Sequence, residues 1–132
     1  MRFRVGLAAL AVVLSLTGQA LAEDCPAKSS GMDDIIEALN EARSCDAAMK
    51  IFEACEFGTG ADLRFGEIVQ KKCESDFLGR LTAPHKAAYQ REMGVCDRKY
   101  RNESGTMYRS FTAFCRAEVA QRYSHQALKA QR

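Results

Sequence analysis

The sequence predicts an all-α fold, a small disulfide-stapled bundle of four to five antiparallel helices. Three observations predict it. Apolar residues recur at helical spacing along most of the chain, without the sustained alternation of a half-buried strand. Only two prolines, Pro26 and Pro84, are present to interrupt helices. The six cysteines form an even set spread over the chain, with no C-x-x-C pair among them.

The first segment stands apart from this pattern. Arg2 and Arg4 precede an apolar run from Val5 to Leu16, and Ala20-Leu21-Ala22 places small residues where a signal peptidase cuts. Residues 1–22 are therefore expected to be a signal peptide, with residues 23–132 forming a single helical domain that is exported, periplasmic or secreted. The run is shorter than the roughly 20 apolar residues that a membrane span needs. Without Arg2 and Arg4, Lys and Arg equal the 17 Asp and Glu, so the mature chain is formally neutral. Neutrality argues against a nucleic-acid partner, which calls for a basic excess.

The first helix is expected from Asp33 to Arg43, with Ile35, Ile36, Leu39 and Ala42 on one side. Ser44 is placed to cap the second, whose inner face carries Cys45, Ala48, Met49, Phe52 and Cys55. Phe57-Gly58-Thr59-Gly60 ends it. Thr59 and Asp62 then resemble a capping box for a third helix running from Ala61 to Gly79. Phe65, Val69, Cys73 and Phe77 make the inner stripe of that helix, widened by Leu63 and Ile68.

Thr82 as N-cap, Pro84 in the first turn and Leu81 as a hydrophobic staple mark the next start. The fourth helix carries Tyr89, Met93, Cys96 and Tyr100 inward and ends at Asn102–Gly105. The last is expected from Thr106 to Leu128, with Met107, Phe111, Phe114, Cys115, Val119 and Tyr123 on its apolar face and a frayed tail after about Ser124.

Behind a signal peptide, six cysteines read as three disulfides. Matching levels on antiparallel helices favours Cys96 with Cys115 and Cys45 with Cys73, each pair balanced about a turn. Cys25 is then left to reach Cys55. A bond between Cys45 and Cys55 would have to span about 15 Å along one straight helix, whereas bridged Cα atoms lie within about 7 Å.

Catalytic signatures are missing from the sequence. His85 and His125 stand outside any ligand pattern, and there is neither an H-E-x-x-H helix nor a G-x-S-x-G elbow. A paired cysteine set leaves no thiolate nucleophile. The expectation is a protein without catalytic, cofactor-binding or metal-binding residues, and so not an enzyme. Phe65, Phe77, Tyr89, Phe111 and Phe114 could line a lipid cavity, but core packing accounts for them better.

Charge is distributed unevenly. Residues 23–79 hold 13 acidic against 6 basic side chains, and residues 80–132 hold 11 basic against 4 acidic. Such polarity can steer a charged partner, or it can be cancelled where acidic and basic helices pack together. Glu53, Glu56, Asp62, Glu67, Glu74 and Asp76 are the candidate acidic face for a protein partner.

Near the C-terminus, Phe111-Thr112-Ala113-Phe114 followed by Arg116-Ala117-Glu118 resembles the W-x-x-Y-R-D-A-E-C ending of LprI-type lysozyme-inhibitor domains. Phe111 stands at the tryptophan position, Cys115 at the arginine and Val119 at the final cysteine. The resemblance implies a small helical, disulfide-bonded bacterial envelope domain that inhibits a lysozyme-like cell-wall hydrolase. A basic hydrolase would then meet the acidic half. Leu81-Thr82, with His85 at the glutamine position, also resembles the L-T-x-x-Q motif of Spy/CpxP-like periplasmic proteins. The alternative expectation is accordingly a structural or stress-associated periplasmic protein with chaperone-like activity.

Overall fold

The structure, a computed structural model, describes residues 24–132; the expected signal peptide lies outside the described residues. Five α-helices and one short 3-10 turn follow in order: α1 (Met32–Glu41), α2 (Cys45–Cys55), α3 (Asp62–Glu74), the 3-10 turn (Leu78–Arg80), α4 (Ala83–Lys99) and α5 (Thr106–Ala130). The described chain is thus an all-α bundle.

Local signals set most boundaries. The Ser44 hydroxyl accepts from the Ala47 N–H at 3.0 Å and caps α2. Pro84 occupies the first turn of α4, where its missing N–H costs no helical bond. Gly58 and Gly105 adopt φ of 68° and 113° in the two inter-helix turns, a region that side chains with a Cβ disfavour.

Three disulfides, Cys25–Cys55, Cys45–Cys73 and Cys96–Cys115, tie the N-terminal arm to α2, α2 to α3 and α4 to α5. No cysteine is free. Three intramolecular disulfides fit an oxidising, extracytoplasmic compartment. Among the described residues no helix is long and apolar enough to cross a membrane.

Helices α2 and α3, and likewise α4 and α5, run antiparallel across their disulfides, and the most extensive packing joins α3 to α5. Asp62 meets Ser110, Gly66 meets Ala113, Gln70 meets Arg116 and Asp76 meets Ser124, in the same order along both helices. These two helices are therefore parallel. Ser110, Ala113, Ala117, Ala120 and Ser124 are all buried, a row of small side chains that lets the α3 backbone come close. Around this pair, α1 and α2 complete the core with Ile35, Leu39, Met49 and Phe52, while α4 packs chiefly on α5.

The structure departs from the sequence reading at four places. The row of small residues, rather than the large apolar stripe, faces α3. Met107 and Phe111 are consequently turned outward, at 48% and 42% exposure, and Leu63 is likewise exposed. The third helix stops at Glu74 instead of Gly79, and Phe77 leaves helical geometry at φ −143°. That break turns the Phe77 ring into the core against Tyr89 and Tyr123.

Thr59 and Asp62 do not close a capping box. The turn brings the Phe57 and Gly58 N–H groups onto the Asp62 carboxylate at 2.9 and 2.8 Å, while Thr59 Oγ1 accepts from Ala61 N–H. Finally, the tail expected to fray after Ser124 is helical to Ala130. The Ser124 hydroxyl donates to Asp76 at 2.6 Å, and His125 lies 2.6 Å from Asp46, which ties this turn to α2 and to the end of α3.

Candidate functional site

Helix packing separates the six carboxylates of the candidate acidic face. Asp62 is fully buried: besides the two backbone N–H groups it accepts a hydrogen bond from Ser110 at 2.7 Å. It serves as a staple between the α2–α3 turn and α5, not as a surface for a partner. Glu74 is half-buried and accepts from Tyr89 and Gln70, and Asp76 is taken up by Ser124. Glu67 is exposed but lies between Arg64 and Lys71. Burial and local pairing thus remove four of the six from a free acidic face.

Glu53 and Glu56 remain, on the last turn of α2 and at its C-cap, both exposed and outside the ion pairs. Next to them Phe57 is 40% exposed, its ring edge-on to Phe65 at 5.4 Å. Burial pushes the Glu56 carboxyl above its ordinary range, followed by the negative charges of Asp62 and Glu53. The result is an acidic corner around a partly exposed aromatic ring.

A second feature is the cleft between α3 and α4, with α5 as its floor. Tyr89 donates to Glu74 Oε1 at 2.6 Å, and Gln70 donates to the same oxygen at 2.7 Å. Arg116 Nε donates to Gln70 Oε1 at 3.2 Å, and its Nη1 reaches both Asp97 oxygens at 2.7 Å. Burial, then the bond to Glu74, drives the Tyr89 phenol well above the usual tyrosine range. The chain from Tyr89 to Asp97 is continuous and sets one cation, Arg116, between two carboxylates, Glu74 and Asp97. Its groups are committed to one another.

His85 is exposed, with Nδ1 3.0 Å from Thr82 Oγ1 at the start of α4. His125 and Gln121 both contact Asp46, which lowers the Asp46 carboxyl, Gln121 most and His125 next. Neither histidine adjoins a thiol. Among the described residues no three His, Cys, Asp or Glu side chains gather as metal ligands. Phe65, Phe77, Tyr89, Phe111 and Phe114 do not line one cavity. Phe77 and Tyr89 cluster with Tyr123, Phe65 and Phe114 with Phe52, and Phe111 with Tyr100 and Tyr108.

Sequence reasoning missed the buried role of Asp62, the Asp46–His125 contact and the Glu74–Tyr89 bond. An aspartate directly after a glycine-bounded turn is a signal for the first. The other two join residues 79 and 15 positions apart, and local pattern does not encode them.

The charge polarity is not cancelled by contact pairs. Among the described residues, five of the six ion pairs join partners from the same half, and His125–Asp46 alone crosses. Comparison with protein-family models, curated proteins and solved structures finds no match to this chain.

Proposed function

We propose that the chain is an exported, periplasmic or secreted, protein-binding module that acts through its surface and catalyses no reaction. Its specific partner is a basic, lysozyme-like cell-wall hydrolase. The observation that carries this reading is the corner formed by Glu53, Glu56 and Phe57. A partly exposed aromatic ring supplies an apolar anchor, and two unpaired carboxylates beside it select a cationic partner. The resemblance at residues 111–118 supports the same assignment, and three disulfides hold the surface in shape without a large core.

The test is the clearing of a bacterial cell-wall suspension by a lysozyme-type hydrolase, with the oxidised protein added at micromolar concentration. Slower clearing is expected, restored by Phe57→Ala and by Glu53→Lys with Glu56→Lys. Unchanged clearing overturns the hydrolase as partner.

A chaperone-like role is the second reading, favoured by the outward Phe57, Leu63, Met107 and Phe111. It requires suppression of client aggregation together with hydrophobic-dye binding, and failure of both ends it.

A further inference from the structure

We propose that the outer face of α4 docks on an anionic lipid surface. The inference is independent of the acidic corner and concerns a different part of the molecule. Helix α4 turns Tyr89, Met93 and Cys96 inward, and this leaves Ala87, Arg91, Gly94, Val95 and Arg98 on the opposite side. These residues line an open groove of about 750 Å³ along the helix, with Glu92, paired to Arg122, at its edge. Val95, at 54%, is the most exposed large apolar side chain among the described residues.

The charges on α4 differ in how they are paired. Both of its carboxylates are held by arginines of α5: Glu92 by Arg122, and Asp97 by Arg116 at 2.7 Å. Lys86, Arg91, Arg98 and Lys99, with Arg101 just beyond the helix, are exposed and have no ion-pair partner among the described residues. Lys99 lies over the Tyr100 ring at 5.3 Å, a cation–π contact that leaves the formal charge in place. The outer face therefore carries two unpaired cations, Arg91 and Arg98, with Ala87, Gly94 and Val95 beside them, while Lys86 lies off it in the α3–α4 cleft.

That composition matches a plane of negative headgroups more closely than a protein partner. The cations are spread along a helix about 25 Å long instead of converging on one point, and the shallow groove between them holds no aromatic anchor for a protein hot spot. A basic helical face with an apolar floor is the pattern of a helix lying on a charged membrane. Ala87, Gly94 and Val95 let the backbone approach the headgroup plane while the longer arginine and lysine chains reach phosphate oxygens.

The experiment is co-sedimentation of the oxidised protein with vesicles of phosphatidylcholine containing phosphatidylglycerol, and with vesicles of phosphatidylcholine alone. Binding to the anionic vesicles is expected at low salt, weakening as salt rises. Each cation removed should lower partitioning about fivefold, so Arg91→Gln with Arg98→Gln should lose roughly 25-fold, and Arg91→Lys with Arg98→Lys should retain binding. Lys28→Gln with Lys50→Gln removes equal charge on the α1–α2 side and should change binding far less.

The proposal is overturned by any of three outcomes. The first is no binding to anionic vesicles at low salt. The second is an equal loss in the Lys28/Lys50 variant, which makes net charge the cause. The third is full competition by a soluble polyanion at matched charge, which makes the face a polyanion site.

Discussion

The Asp62 carboxylate accepts the Ser110 hydroxyl at 2.7 Å across the α3–α5 interface, with both residues buried. The same carboxylate holds the Phe57 and Gly58 N–H groups, so one side chain fixes the α2–α3 turn to the last helix. Asp62→Ala would strand two backbone donors and a hydroxyl and should cost about 2–4 kcal/mol. Ser110→Ala removes one donor and should cost about 1 kcal/mol. Urea denaturation of the oxidised variants checks both. Equal losses would mean that the two backbone bonds carry no weight.

Gly66 sits where α3 crosses α5. A Cβ there would lie 3.0 Å from Ala113 Cβ and 3.1 Å from the Ala113 carbonyl oxygen. Helix propensity alone would make Gly66→Ala stabilising by about 1 kcal/mol. The clash is with backbone, which cannot swing away, so the expected outcome is a net loss of about 1–3 kcal/mol. A raised melting temperature for Gly66→Ala would show that the helices separate at little cost.

Helix α4 packs chiefly on α5 and is tied to it by Cys96–Cys115, a bond spanning 19 residues. Replacing both cysteines by alanine should lower stability by about 3 kcal/mol. Amide hydrogen exchange should accelerate in α4 before α3, because α3 retains its packing on α2 and α5. Uniform acceleration along the chain would contradict this order.

Two carboxyls should give opposite pH slopes. Asp46 is lowered from 3.8 by Gln121 and His125, so its contribution is present above that value and fades as pH falls through the depressed value. Asp46→Asn should therefore destabilise at pH 6, and its effect should shrink as pH falls below 3.8. Glu56 is raised from 4.5 by burial and by Asp62 and Glu53, so the stabilisation of its neutral form is present below 4.5 and lost as pH rises. Glu56→Gln should stabilise at pH 7 by no more than about 0.5 kcal/mol, solvent screening being strong at this exposed position. Melting temperatures at pH 3, 4.5 and 7 test both signs.

Burial and their glutamate partners, Glu74 and Glu92, hold the Tyr89 and Tyr123 phenols above the ordinary tyrosine range. Absorbance at 295 nm should reach only part of its full phenolate amplitude until the protein unfolds in alkali. Stability should fall as pH rises above about 10. In Tyr89→Phe the retained fraction should shrink by one residue, and an unchanged amplitude would place the buried phenol elsewhere.

The helices were legible because each keeps a local signature: Ser44 before the second, Pro84 in the first turn of the fourth, glycines at 58 and 105. The cysteines were legible as levels, since antiparallel neighbours joined by short turns match residues equally far from each turn. The inner face of α5 was legible in part: Phe114, Cys115, Val119 and Tyr123 pack on the core, whereas Met107 and Phe111 do not. Large apolar residues mark a buried stripe in an ordinary amphipathic helix, but here the tightest contact is made by serines and alanines. Met107 and Phe111 are exposed for that reason. The acidic face was legible only in part, because one-dimensional charge does not distinguish Glu53 in solvent from Asp62 among donors.

The sequence by itself determined the helical class, the three-disulfide framework and the opposed charge of the two halves, because periodicity, caps and residue counts act over a few positions. Tertiary structure alone decided that α3 and α5 lie parallel in close contact, that Asp62 is a buried staple, and that the carboxylates of α4 are paired by arginines of α5 while Arg91 and Arg98 stay unpaired. Those outcomes depend on which helix faces which, and that is set by packing between residues almost fifty positions apart.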